Sequence, residues 1–162
     1  MDGFPQTRCV VADQNWAMGT TGNLLVAVWR GQPSLEHICS CGTECEKLAH
    51  QFLKNWGVVC VLECASPSPD AELHRVSFNK IRHSMRALAT VIEGDAFRSP
   101  FVRLVNAGFA SFSSAQQTRC HNDVSEASGW MRECLRETVP ALDKEIESIR
   151  SAITSKSTKV PQ

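Results

Sequence analysis

The sequence predicts an α/β fold with a mixed, mostly parallel sheet of four or five strands. Two observations lead there. Short apolar runs such as NLLVAVWR (23–30), VVCVLEC (58–64) and ATVIE (89–93) alternate with longer stretches whose apolar residues recur every three or four positions. Strand alternating with helix is the pattern of parallel βαβ units. The size is right as well: 162 residues with 43% apolar and 21% charged content suffice for one ordinary core.

Residues 1–13 read as a flexible lead-in, and 14–138 as the α/β domain. Asn15–Gly19 and Asn23–Arg30 read as two strands joined around Thr20-Thr21-Gly22, a hairpin signal. The second strand is apolar almost throughout, as in a strand covered on both faces. Gly31-Gln32-Pro33-Ser34 breaks it, and Ser34 caps a helix reaching about Trp56. Ile38, Cys41, Cys45, Leu48, Phe52 and Trp56 form its apolar stripe, and Gly57 is its expected stop. Strand 58–64 follows, then the turn Ser66-Pro67-Ser68-Pro69-Asp70 and a helix from Asp70 to Leu88. Ala89–Glu93 is the next strand. Gly94-Asp95 opens a helix with Phe97, Phe101, Leu104 and Phe109 on one side. Arg119–His121 reads as a weak edge strand, and Val124–Thr138 as a helix.

Beyond the domain, Leu135, Val139, Leu142, Ile146, Ile149 and Ile153 follow 4-3-4-3-4 spacing across Pro140. Residues 139–154 are therefore an amphipathic helix. Its stripe Leu142, Ile146, Ile149, Ile153 suits either packing onto the domain or self-association as a homodimer, with Glu145 and Arg150 as flanking partners. Residues 155–162 read as a disordered tail.

The strand boundaries carry a recognisable pattern. VAVWRGQPS, VLECASPSPDAELHR and TVIEGDAFRSPFVRLVNAGF resemble a group of small uncharacterised proteins of myxobacterial type, over about residues 14–136. The element order is similar to that of the STAS (SpoIIAA-like) fold. That resemblance implies a regulatory module acting by protein–protein contact, switched by phosphorylation of a serine where the helix after the third strand begins. Ser66 and Ser68 occupy that position, although they precede prolines and lack the Asp-Ser-Ser-Gly run of the antagonists. A phosphate there would meet the free N–H groups of the helix start. The competing reading is that Pro69 and Asp70 simply start the helix.

Three further groups of residues invite a function. Arg30, Glu63 and Glu93 stand at strand C-termini, the edge where open α/β sheets bind ligands, with Arg98 and Arg103 on the following helix to pair with them. The group suits a structural ion-pair network, a small-molecule or lipid site, or acid/base work by the two glutamates. Arg75, Asn79, Arg82 and Arg86 form a one-sided stripe suited to an acidic protein partner, or to solvent. His37, Cys41 and Cys45 share helical spacing, but the thiols fall on the apolar stripe, so a core role outweighs a metal site. No nucleophile signature and no phosphate loop is present. The expectation is a non-enzymatic regulatory or adaptor module without metal or cofactor, whose partner is an unknown protein.

Charge is balanced, with 17 Lys+Arg against 17 Asp+Glu, which gives no pull toward nucleic acid or a membrane surface. No run of 18 apolar residues spans a membrane. The N-terminus does not read as a signal peptide, so the eight cysteines are expected as free thiols of a cytoplasmic protein.

Overall fold

Six strands form one sheet in sequential order, β1-β2-β3-β4-β5-β6. They are β1 (Arg8–Ala12), β2 (Trp16–Thr21), β3 (Leu24–Trp29), β4 (Gly57–Leu62), β5 (Ala87–Ile92) and β6 (Gln117–His121). The helices among the described residues are α1 (Leu35–Phe52), α2 (Val124–Cys134) and α3 (Leu142–Ser157). This computed structural model describes residues 7–31, 34–63, 84–93, 117–136 and 141–157. β1-β2-β3 is antiparallel and β3-β4-β5-β6 is parallel. The sheet is thus mixed, mostly parallel and antiparallel at its start, as expected, but it has six strands rather than four or five.

Residues 8–12 are not a loose lead-in. They pair with β2 through a register shift between Cys9 and Val11 and form an edge strand. The hairpin also turns later than expected. Thr21 pairs with Leu24, so Gly22-Asn23 makes a two-residue turn, with Gly22 at φ 57° where a side chain would be strained.

All six residues of β3 are buried, because both faces of the sheet are covered. Leu24, Val26 and Val28 join Val59, Val61, Ala87, Ala89 and Val91 on one face, beneath α2 and α3. Leu25, Ala27 and Trp29 join Trp16, Met18, Val58 and Leu88 on the other, beneath Cys45 and Leu48 of α1. α3 lies over β1–β3, and α2 over β4–β6.

This placement corrects the self-association reading. Leu142, Ile146, Ile149 and Ile153 are each at most 1% exposed. The stripe is consumed by the chain's own sheet and is not available to a second copy. Gly19 explains how closely α3 approaches. A Cβ there would stand 2.8 Å from Arg8 O and 2.9 Å from Ile149 Cδ1.

Arg86 also departs from expectation. β5 begins at Ala87, and Arg86 N donates to Trp56 O in the lead-in to the strand, so Arg86 is not on a helix. Its Nε donates to Cys134 O at 2.7 Å, closing the C-terminus of α2. A partner-binding stripe of 75, 79, 82 and 86 on one helix therefore fails at its last member. Two asparagines close the same end of the molecule. Asn23 Nδ2 donates to Asn55 O and Arg136 O at 2.7 and 3.3 Å. Asn55 both donates to Arg136 O at 2.8 Å and accepts from Arg136 N at 3.1 Å.

α1 starts as expected at Ser34, whose hydroxyl accepts from His37 N. It ends at Phe52, and Leu53 rather than Gly57 occupies the capping position. Gly57 instead opens β4, where a Cβ would meet Met131 Cε at 2.6 Å and Ala87 O at 2.8 Å. The second contact is backbone and cannot yield. Gly57→Ala is therefore expected to cost about 1–3 kcal/mol, and Ile149→Ala about 2–5 kcal/mol. Urea unfolding midpoints check both; an unchanged midpoint for Gly57→Ala would mean that β5 leaves room for a side chain at 57.

Candidate functional site

The strand ends continue the core columns by one charged step. Side chains alternate across a strand, so Arg30, Glu63 and Glu93 project from the same face as Val28, Val61 and Val91. Their backbones extend the ladder: Glu63 N donates to Trp29 O and Glu93 N to Leu62 O, each at 2.9 Å. The charges are thus fixed by the sheet.

A fourth residue joins them. Arg150 of α3 places Nη2 2.7 Å from Glu93 Oε1, Nε 3.1 Å from Glu63 Oε1 and Nη1 3.3 Å from Glu147 Oε1. Arg30 Nε takes the other oxygen of Glu63 at 2.5 Å. Arg30, Glu63 and Glu93 are therefore brought together as expected, and the network binds α3 to β3, β4 and β5. The heptad-like spacing also allows Arg150 to flank a pairing with a second chain, and the structure uses it within one chain instead. The available signal was its place between Ile149 and Ile153 at the margin of a buried stripe. Glu145 accepts a hydrogen bond from Thr7 Oγ1, again within one chain. Ser66, Ser68, Arg75, Asn79, Arg82, Arg98 and Arg103 lie outside the described residues.

Acid/base catalysis by two carboxylates needs them in contrasting surroundings. Here Glu63 and Glu93 share the Arg150 guanidinium in a clasp, and Glu63, the more buried of the two, also holds Arg30. An open cavity of about 580 Å³ adjoins it, lined by Glu93 and Glu147, by Asp123, Val124 and Ser125 at the start of α2, and by Asp143 and Lys144 at the start of α3.

On the α1 side, His37 completes the helix cap that sequence reasoning left at Ser34 alone. Ser34 N donates to His37 Nδ1 at 3.3 Å, while His37 Nε2 lies 3.1 Å from Asp13 Oδ2. That network places the proton on Nε2. The ring stacks on Trp16 at 4.2 Å between centroids. Both ring nitrogens are engaged, so this histidine is held as a structural member.

His121, at the end of β6, packs against Trp130 with centroids 5.3 Å apart, and its Nε2 is buried without a hydrogen-bond partner. Burial lowers its pKa below the ordinary 6.5, helped by Arg119 and opposed by Glu126 and Asp123.

The thiols of Cys41, Cys45 and Cys60 meet in the layer between α1 and the sheet. Burial pushes Cys60 up to about 12 and raises Cys41 and Cys45 as well, with the neighbouring thiols adding to the effect. Among the described residues no group of His, Cys, Asp and Glu has the arrangement of a metal site. No helix among them is long and apolar enough to cross a membrane.

Comparisons with protein-family models, curated proteins and solved structures returned no match to this chain.

Two outcomes follow. The exposed Cys9 and Cys39 should react readily with a thiol reagent under native conditions, while Cys41, Cys45 and Cys60 react only after unfolding. Mass mapping of the labelled sites checks this; early labelling of Cys60 would contradict it. His121 sets an acid limb. Its lowered folded pKa means that the unfolded chain binds more protons, so its contribution is full above about 6.5 and is lost as pH falls from there through the lowered folded pKa. His121→Gln should flatten the pH dependence of the unfolding midpoint between neutral and mildly acidic pH. An equally steep variant would assign the limb to other groups.

Proposed function

We propose that the chain is a non-enzymatic regulatory or adaptor module of STAS-like architecture, acting through protein–protein contact. The observation that carries this reading is the clasp at the strand ends. Glu63 and Glu93, the pair best placed for chemistry, are both occupied by Arg150, and Glu63 by Arg30 as well. A sequential, mostly parallel sheet with an antiparallel start is compatible with the resemblance to the STAS fold, and fold alone does not fix an activity. The contact surface proposed is the segment from Ser66 to Arg82, with Ser66 or Ser68 as the phosphorylated switch and Arg75 and Arg82 as the charges that meet an acidic partner.

A second reading has its own observation. The open cavity beside Glu93 and Glu147 lies at the edge where α/β sheets hold small ligands. A small molecule or lipid headgroup bound there would make the chain a carrier or sensor.

Native mass spectrometry of the protein isolated from its own source separates the two. The adaptor reading expects extra mass that persists on unfolding and maps to Ser66 or Ser68, together with a protein partner that Arg75→Glu/Arg82→Glu no longer recovers at an unchanged melting temperature. Mass released on unfolding, with the charge-reversed variant still recovering its partner, would favour the ligand site and overturn the adaptor surface.

A further inference from the structure

The turn after α1 is built in a conformation that leucine disfavours. Asn55 N donates to Phe52 O at 3.0 Å, closing a four-residue turn. Its second residue, Leu53, has φ 53° and ψ −107°, the values of a type II′ turn, where glycine is the ordinary occupant. Leu53 is the only non-glycine residue with positive φ among those described. It is also 72% exposed, so no buried contact compensates the strain.

The turn is held firmly. Asn55, its last residue, makes two hydrogen bonds to the backbone of Arg136. The result is a rigid apolar knob with two exposed cationic residues beside it, Lys54 within the turn and Arg136 across it. Strain at an exposed, immobilised apolar residue points to a contact made outside the molecule.

The opposite end of the sheet offers a complementary surface. The knob precedes Gly57, where β4 begins, and the open cavity adjoins Glu93, just beyond the end of β5. Because β4 and β5 are parallel and in register, the two features lie at opposite ends of the strands and cannot meet within one copy. The cavity wall carries four carboxylates against Lys144, with Arg150 behind Glu93 and Glu147. Val124 and the aliphatic stems of the longer side chains supply an apolar lining. Asp123, Asp143 and Glu147 are exposed; Asp123 caps α2 and Glu147 pairs with Arg150, while Asp143 lies in the first turn of α3. With 17 positive and 17 negative residues, the chain carries no net charge to keep copies apart.

We propose that the chain associates head to tail with a second copy of itself. Leu53 seats against the Val124 side of the partner copy's cavity, and Lys54 and Arg136 face the acids around Asp143. The interface is heterologous, so it propagates into short open chains or closes into a ring. It does not involve the apolar face of α3, which is buried in its own domain.

Sedimentation velocity on the full chain, over a concentration series at low and high salt, tests this. The wild type should associate reversibly, and less at high salt. Leu53→Gly should raise the urea midpoint by relieving the turn while weakening association. Lys54→Glu/Arg136→Glu and Asp143→Lys should each be monomeric alone. Mixed, they should associate with each other, because the cavity of the first and the knob of the second are both intact. A wild type that stays monomeric at every concentration, association that none of these variants alters, or a mixture that does not associate would overturn the proposal. Destabilisation by Leu53→Gly would show that the turn is not strained and remove its starting point.

Discussion

Everything in this fold depends on β3 being buried on both faces. A strand reading LLVAVW leaves no side that water can accept, so each face of the sheet must carry a helix layer. α1, the crossover from β3 to β4, covers one face. The other face over β1–β3 belongs to α3, because α2 lies over β4–β6. The C-terminal helix is therefore not an appendage. Without it Leu24, Val26 and Val28 would face solvent, and burial of aliphatic side chains at about 1.5–3 kcal/mol each is too large a share of a domain's stability to forgo.

The clasp at the strand ends is a consequence of that requirement. Once α3 must lie along β1–β3, the residue between Ile149 and Ile153 arrives beside the last positions of β4 and β5. Alternation has already put Glu63 and Glu93 on the same face. Arg150 then answers two carboxylates from the sheet and one from its own helix. Partly exposed pairs of this kind contribute modestly to stability. Their larger effect is positional, since they fix the register of α3 against the strand ends and shape one wall of the adjoining cavity.

Local signals carried most of the strand and helix positions. The uniform apolarity of β3 marked it as a two-faced strand, and Ser34 marked the start of α1. Arg30, Glu63 and Glu93 were legible as a group because strand C-termini in a parallel sheet share an edge. Long-range partners were not legible. The stripe from Leu142 to Ile153 declares an apolar face but does not name what covers it, and heptad spacing serves a sheet as well as a second helix. Arg86 looked like a continuation of 4-3-4 spacing because nothing in the local sequence marks where β5 begins. β1 was missed because RCVVA is short, mostly exposed and interrupted by a register shift, so it shows no clean alternation. Gly57 was read as a helix stop when its task is to admit Met131 and Ala87 O. Glycine signals that a side chain is unwelcome and does not say whether conformation or space is the reason.

Several reactive side chains of the described region help to hold the structure together, while Cys9 and Cys39 stay exposed. His37 bonds through both nitrogens, His121 is pressed toward its neutral form against Trp130, and three thiols are raised by burial beneath α1. A protonated thiol is a poor nucleophile and an imidazole bonded through both nitrogens has no free lone pair, whereas the neutral ring of His121 keeps a basic nitrogen that burial shields. The polar groups that face outward are of another kind. At one end stands a strained leucine beside two cations, and at the other a cavity rimmed by acids. Leu53 is therefore the described position where conformational energy is spent without a buried contact in return.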